Sequence, residues 1–220
     1  MKIEIYSDVI CPWCFVGKRR LEQALEQIGL AQSFQVLWRP FELNPTMPKE
    51  GLDRRSYLEA KFGGAASLKT MENRVAQAGE AEGIEFAFDR IARTPNTFDA
   101  HRLIWFAGQQ GCQDTVVEAL FFSYFTEGRD IGNLDSLTEV AVEGGLNREE
   151  ALTFLSSDKA VQEVRAEEAA GHRLGIRGVP YFLLNGSLSI SGAQPPDVVV
   201  SALQQAEEAA GREEIRKAPR

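Results

Sequence analysis

The chain has 220 residues, of which 44% are hydrophobic and 25% are charged, as in ordinary globular proteins. Its length is enough to bury a sizeable core without disulfides or metals. The formal net charge of −8, with no basic cluster, argues against a nucleic-acid partner. The sequence has no apolar run of about 18 residues, the length that a membrane span needs. The three cysteines are too few for a secreted disulfide framework.

The chain begins directly with a strand pattern. Lys2 to Ser7 alternates polar and apolar residues, which predicts a strand. Acidic Glu4 and Asp8 follow Met1 so closely that a signal peptide has no room. We therefore expect a cytoplasmic protein, in which the glutathione pool would keep a pair of cysteines largely reduced between turnovers.

A helix is predicted after a short turn at residues 8–10. Leu21, Leu25 and Ile28 recur at helical spacings, and charged residues occupy the opposite face. Gly29 ends this helix, whose first turn contains Cys11.

The segment Cys11-Pro12-Trp13-Cys14 favours a dithiol/disulfide redox centre. Free N–H groups and the positive end of the helix dipole stabilise a thiolate in the first turn, so we expect a lowered pKa for Cys11. Cys14 lies on the same helical face, close enough to close a disulfide, and is the natural resolving thiol. Pro12 fits the first turn because an N–H there would have no intrahelical partner.

Zinc binding and a structural disulfide are the alternatives for such a pair. A structural zinc needs two further ligands, and the chain offers only Cys112, His101 and His172, without a second paired cluster. A disulfide between adjacent helical turns closes a tiny loop and constrains little. We therefore expect no metal site and favour redox chemistry over both alternatives.

The middle of the chain is mostly helical in pattern. Before it come a strand candidate at 34–43, with Pro40 at its end or edge, and a proline-rich loop at 44–51. The predicted helices are Arg54–Phe62, Ala65–Glu82, Thr97–Gln110, Asp114–Thr126, Asp135–Glu143, Arg148–Leu155 and Lys159–Leu174.

Strand character returns near the C-terminus. The remaining predicted elements are a hairpin of Tyr181–Leu184 and Ser187–Ser191, a helix from Pro195-Pro196 to about Ala210, and a charged tail at 212–220. This order predicts an α/β protein whose two ends form one layered unit around a helical insertion.

Five sequence blocks between Ser7 and Gln194 carry a family resemblance. They are Ser7-Asp8-x-x-Cys11-Pro12-Trp13-Cys14-x-x-Gly17, Arg39-Pro40-Phe41-x-Leu43-Asn44-Pro45, Asn96-Thr97-x-x-Ala100-His101, Gly178-Val179-Pro180-Tyr181-Phe182 and Ser191-Gly192-Ala193-Gln194. Together they resemble the FrnE-type oxidoreductases of the DsbA family, in the thioredoxin superfamily. The same branch includes 2-hydroxychromene-2-carboxylate isomerases and kappa-class glutathione transferases, which usually have serine in place of one cysteine and use glutathione.

The resemblance implies a thioredoxin-like α/β fold with a large α-helical insertion of the DsbA type. Residues 1–44 and 176–220 would form a discontinuous thioredoxin-like domain, and residues 45–175 an inserted helical domain. A homodimer is compatible with the resemblance.

The resemblance also implies roles for the site residues. Cys11 would attack and carry the mixed disulfide, Cys14 would resolve it, and Pro180 would be cis and lie against the pair. The Val179–Pro180 backbone would hold a substrate segment as an added strand. The redox-active disulfide would be the only cofactor.

Pro12, Trp13, His101 and Gln194 are further candidates for substrate binding. Trp13 presents an apolar rim to substrate or is a packing aromatic. His101 is a packed or capping histidine, or it lowers a thiol pKa. Gln194 precedes a helix whose N-terminus could receive a carboxylate such as that of glutathione, although kappa-class relatives tend to have Ser-Asp there.

The leading functional hypothesis is a thiol:disulfide oxidoreductase acting on a thiol- or disulfide-bearing protein or a small thiol, with glutathione as an optional co-substrate. One alternative is a glutathione-dependent isomerase or transferase acting on an aromatic small molecule. The other is a redox-linked, chaperone-like binding module.

Overall fold

A computed structural model describes residues 1–29 and 34–217 of the chain. The strands are β1 (Lys2–Ser7), β2 (Gln35–Pro40), β3 (Leu52–Asp53), β4 (Arg93–Thr94), β5 (Tyr181–Leu184) and β6 (Leu188–Ser191). The helices are α1 (Pro12–Gln27), α2 (Arg54–Phe62), α3 (Ala65–Glu80), α4 (Phe98–Gln109), α5 (Gln113–Phe122), α6 (Leu134–Glu143), α7 (Arg148–Leu155), α8 (Val161–Arg173) and α9 (Pro196–Lys217).

The larger sheet brings the two ends of the chain together. Its strand order is β2-β1-β5-β6, with β2 parallel to β1 and the other pairs antiparallel. Tyr6, near the end of β1, pairs with Tyr181, the first residue of β5. The loop after β1 and the loop before β5 therefore meet at the same end of the sheet.

One hydrophobic core joins the sheet to the helical segment. Ile3 and Ile5 of β1 are buried under helices, and α1 packs against α9. Phe15 of α1 stacks on Phe121 of α5, with 5.1 Å between ring centroids. The same cluster of buried side chains thus runs through both parts of the chain. The domain boundaries at 44 and 176 stay a prediction.

The α/β class and each predicted helix are confirmed; Arg54–Phe62 and Arg148–Leu155 have their predicted ends, and the ends of the others are shifted. The helix predicted over Asp114–Thr126 is wrong beyond Phe122, because Ser123–Glu127 forms a π-helical turn. That turn buries both Tyr124 and Phe125. The last helix continues past Ala210 to Lys217, since residues 212–217 are good helix formers. The predicted tail residues 218–220 lie outside the described residues.

The strands differ from the sequence prediction in two respects. The short strands β3 and β4 were not predicted, because two residues are too few to show an alternating pattern. The strand predicted over 34–43 ends at Pro40. Beyond it, the N–H groups of Glu42 and Leu43 donate to the side chains of Glu168 and Asp8 instead of to a neighbouring strand.

Within the described ranges, no helix combines the length and the apolar character that crossing a membrane requires.

Candidate active site

The two cysteines stand at the N-terminus of α1, as predicted. Cys11 is the N-cap residue in an extended conformation, and Pro12 is the first helical residue. The Cys11 N–H donates to the carbonyl of Asp8 at 3.0 Å, which closes the turn between β1 and α1. Both cysteines are buried, Cys11 with 5% and Cys14 with 1% of its surface exposed.

The loop before β5 lies directly against Cys11. The Val179–Pro180 peptide bond is cis, and the Cys11 thiol donates to the Val179 carbonyl with 3.6 Å between sulfur and oxygen. This close approach depends on Gly17 of α1. A Cβ atom at Gly17 would lie 3.0 Å from Cγ of Pro180 and 3.2 Å from the ring of Phe182.

The Cys14 thiol is held in its protonated form. Burial, the largest cause, and the neighbouring Cys11 raise the pKa of Cys14 well above its usual value. Hydrogen bonding from the Ser7 side chain and the Asp8 main chain lowers the pKa of Cys14 and so partly opposes this rise. Cys14 therefore needs a base before it can act as a nucleophile.

An apolar cavity of about 260 Å³ opens beside Cys11. Its near wall is the start of α1, with Cys11, Pro12 and Trp13, whereas Cys14 does not line it. Most of the far wall comes from α2, α3 and the aromatic residues around the π-helical turn, namely Tyr57, Leu58, Phe62, Met71, Val75, Phe88, Tyr124 and Phe125. A substrate group that reaches Cys11 therefore contacts mainly hydrophobic side chains.

Two polar side chains in the wall of this cavity, Arg54 and Tyr124, already have partners. Arg54 forms an ion pair with Glu72 at 2.7 Å and lies over the Phe88 ring. The Tyr124 hydroxyl donates to the carbonyl of Arg93 at 3.2 Å, and burial raises the pKa of Tyr124. The ion pair thus joins α2 to α3, and the Tyr124 hydrogen bond joins the π-helical turn to β4.

The structure does not place His101 and Gln194 in the cavity. His101 is buried, with its Nε2 atom 3.6 Å from Oδ1 of Asp8. The Gln194 amide donates to the carbonyl of Ser191 at 2.9 Å, within the turn before α9. His172 is exposed and lies against Phe41.

Sequence reasoning missed the cavity wall and the residues behind the thiols. Ser7, Asp8 and Gly17 belong to the quoted motif, and their position next to the cysteines was a usable signal. The residues of α2 and α3 gave no comparable signal, because helical periodicity identifies an apolar face but not what that face covers. Among the described residues, no group of three or more His, Cys, Asp or Glu side chains is placed to hold a metal ion.

A thiol pair at the start of a helix, against a cis-proline loop and beside a four-stranded mixed sheet, defines a protein of the thioredoxin class with a dithiol site. The family model described as the DSBA-like thioredoxin domain matches residues 2–204, and the chain belongs to this family. The match confirms the DsbA-family resemblance, the DsbA-like fold and, in general terms, the class of thiol–disulfide oxidoreductases.

Individual relatives agree with this assignment. The chain is 35% identical to the probable DsbA oxidoreductase SCO1869 from Streptomyces coelicolor, with a TM-score of 0.88 over 94% of this chain and 90% of that one. It is 30% identical over 203 residues to the uncharacterized protein YwbO of Bacillus subtilis (strain 168), which covers 91% of this chain and 94% of the relative. The fold is also similar to that of the cytosolic disulfide reductase DsbM from Pseudomonas aeruginosa with GSH, with a TM-score of 0.67 and 20% identity over 94% of this chain and 100% of that one.

Proposed function

We propose that the protein exchanges thiols and disulfides through a mixed disulfide on Cys11, which Cys14 resolves. One observation carries the proposal. The Cys11 sulfur lies at the apolar cavity and 3.6 Å from the Val179 carbonyl, while Cys14 lies beneath it and outside the cavity. This difference between the two thiols supports Cys11 as the one that meets a substrate first.

The proposed reaction has two displacement steps. The Cys11 thiolate attacks one sulfur of a substrate disulfide, and the other substrate sulfur leaves as a thiolate that takes up a proton. Cys14 then loses its proton and attacks the Cys11 sulfur, which releases the second substrate thiolate. The substrate gains two electrons, and the protein ends with a Cys11–Cys14 disulfide. The reverse sequence oxidises a substrate dithiol.

The surroundings of Cys11 favour an extended substrate segment with an apolar side chain near its reacting sulfur. The main chain of Val179 and Pro180 offers a place for such a segment to pair as an added strand. Pro12 and Trp13 form the rim over which its side chain would enter the cavity. Burying one such side chain contributes roughly 1.5–3 kcal/mol to binding.

Three cysteine variants test this function. Cys11→Ser should lose disulfide reductase activity, and Cys14→Ser should accumulate mixed disulfides on Cys11, detected by mass spectrometry. Cys112→Ser is the matched control and should react at the wild-type rate, because Cys112 is the N-cap of α5, away from the cavity. A wild-type rate for Cys11→Ser would sink the proposal.

A glutathione-dependent isomerase or transferase acting on an aromatic small molecule is the second candidate. The apolar cavity beside Cys11 favours it, since its walls suit an aromatic body. Glutathione should then bind the reduced protein in calorimetry, and Cys14→Ser should keep the isomerase or transferase activity. Absence of glutathione binding would remove this candidate.

We also propose that the protein works in the cytoplasm, where its substrate disulfides would be transient. The DsbM relative is named a cytosolic disulfide reductase, which supports the proposal. Fractionation of cells should recover the protein with cytoplasmic markers, and recovery from the periplasm or the medium would contradict it.

A further inference from the structure

One part of the cavity wall beside Cys11 is polar, although most of that wall is apolar. It consists of three side chains that contact one another: Asn44 from the loop after β2, and Tyr57 and Lys61 from neighbouring turns of α2. We call these three side chains the donor group.

The hydrogen bonds of the donor group occupy its acceptor atoms. The Tyr57 hydroxyl oxygen accepts from the Asn44 amide nitrogen at 3.1 Å and from the Lys61 ammonium at 3.2 Å. The Asn44 amide oxygen accepts from the Thr46 hydroxyl at 3.1 Å. With two donors aimed at the Tyr57 oxygen, its own proton points elsewhere, and none of the described residues accepts it. The group therefore offers protons to a ligand in the cavity.

The donor group also carries a positive charge that the cavity wall does not balance. The charged side chains of the wall are Arg54, Lys61 and Glu72. Arg54 and Glu72 neutralise each other in an ion pair at 2.7 Å. In the described part of the chain no carboxylate lies within ion-pair distance of Lys61, and nearby Glu59 pairs with Arg55. The cavity is thus a positively charged site in a chain whose net charge is −8.

The size of the cavity limits what can enter it. Its volume of about 260 Å³ lies just below the range of roughly 300–1,000 Å³ that is usual for small-molecule sites. It therefore suits one apolar group of about the size of an aromatic ring. Since Cys11 and the donor group line the same cavity, such a group can contact both.

A carboxylate is the chemical group that matches these donors. An ionised carboxylate only accepts hydrogen bonds, and its charge is opposite to that of Lys61. An amine would bring further donors and a second positive charge, and a purely apolar group would leave the Tyr57 proton without an acceptor.

We propose that Asn44, Tyr57 and Lys61 select substrates whose apolar group carries a carboxylate. The reacting sulfur of such a substrate meets Cys11, its apolar group fills the cavity, and its carboxylate accepts from Tyr57 and Lys61. Asn44 holds the Tyr57 hydroxyl in place. The proposal rests on the proposed function and extends it to a class of substrate.

Aromatic disulfides that differ only in the carboxylate test the proposal. The probes are the meta and para isomers of dithiodibenzoic acid and the corresponding dithiodibenzamides. In a Cys14→Ser parent protein, the Cys11 thiolate attacks one sulfur of the probe, and the S–S bond breaks. One arenethiolate leaves with the electron pair, and its absorbance in a stopped-flow instrument gives the rate of this single step.

The measured quantity is the carboxylate preference. It is the second-order rate constant for the acid divided by that for the amide, and this ratio is then divided by the same ratio for mercaptoethanol in solution. The second division removes the difference in intrinsic reactivity between the two probes. The parent protein should show a preference of about 20-fold for at least one isomer.

Two variants of the parent protein remove one donor each. Tyr57→Phe should lower the preference by about 5-fold, the effect of one lost hydrogen bond. Lys61→Gln should also lower it by about 5-fold, the upper end for an exposed ion pair, and added salt should act in the same direction. The matched control is Lys69→Gln, which removes an exposed lysine of α3 outside the cavity wall and should keep the preference.

Each outcome decides the proposal. A parent protein without a carboxylate preference, or a preference that survives in Lys61→Gln or in folded Tyr57→Phe, would overturn it. Lys61 is exposed, so its variant should fold even if Tyr57→Phe does not. If Cys11 of the parent reacts with neither acid nor amide, the proposed function is wrong as well. If it reacts with both equally, only the selection of a carboxylate is wrong.

Discussion

The Cys11 sulfur lies 3.6 Å from the carbonyl oxygen of Val179, a residue 168 positions later in the chain. The sheet creates this contact, because the end of β1 pairs with the start of β5. The contact joins the reactive thiol to a main-chain segment that can bind an extended substrate, and several predictions depend on this geometry.

Gly17 is required for the approach of the cis-proline loop. Gly17→Ala places a Cβ atom 3.0 Å from Pro180, so we expect the loop to shift, the disulfide reductase rate to fall by about 10-fold and the stability to fall by about 1–3 kcal/mol. Gly211→Ala in α9 is the matched control, since its Cβ would meet nothing within 4 Å. Equal activity of the two variants would show that the approach is not needed.

The cavity wall should select apolar clients. Leu58→Gln should lower kcat/KM about 10-fold for a peptide disulfide with a bulky apolar neighbour, because it removes apolar surface from the cavity. The rate with a small disulfide such as hydroxyethyl disulfide should not change. Leu152→Gln on the exposed surface of α7 is the control. A uniform loss with both substrates would argue against a binding role for the cavity.

Alkylation should distinguish the two thiols of the reduced protein. Cys14 is almost fully buried and its pKa is raised, whereas Cys11 lines an open cavity. Iodoacetamide at neutral pH should therefore modify Cys11 at least about 10-fold faster than Cys14. Peptide mapping by mass spectrometry measures both rates, and faster modification of Cys14 would reverse the assigned roles.

Glu42 should make stability depend on pH. Its pKa rises from 4.5 to about 7 on folding, so the folded state holds this proton more tightly than the unfolded chain. The resulting stability is present below the unfolded pKa and is lost as the pH rises towards 7. As the pH rises from 5 to 8, the free energy of unfolding of the wild type should therefore fall, relative to that of Glu42→Gln, by on the order of 1–3 kcal/mol. The unfolding free energies come from denaturant titrations at each pH. The same difference between the two proteins at pH 5 and pH 8 would contradict this prediction.

Lys18 links α1 to α5. Its nearly buried ammonium contacts the carboxylates of Glu22, Asp114 and Glu118, the last two from α5. Lys18→Met should lower stability by about 1–2 kcal/mol, a value reduced for the solvent exposure of the three carboxylates. Arg55→Met, which removes an exposed ion pair within α2, should leave the stability essentially unchanged. Equal losses in urea unfolding would show that burial of Lys18 does not matter.

Short sequence patterns predict the part of the site that contains the cysteines and the loop before β5. The strand pattern before Cys11, the helix pattern after it and the Gly178-Val179-Pro180 block before β5 each have a recognisable local form. The pairing of Tyr6 with Tyr181 then brings them together. The contact of Cys11 with Val179 follows from that pairing.

The rest depends on tertiary packing. Helices α2 and α3, which the Arg54–Glu72 ion pair joins, form one cavity with the π-helical turn, and no periodicity encodes that choice of partner. The sequence left His101 open as a packed histidine or as a residue of the site, and only the fold shows that it is buried on α4 beside Asp8.

A redox titration of the wild-type protein against glutathione tests whether Cys11 and Cys14 act as a pair. The two thiols should titrate together as one two-electron couple, with a slope of about 30 mV per tenfold change in the ratio of disulfide to dithiol. The transition should disappear in both Cys11→Ser and Cys14→Ser. Glutathionylation of Cys11 without a Cys11–Cys14 disulfide, or a transition that survives in Cys14→Ser, would contradict the account.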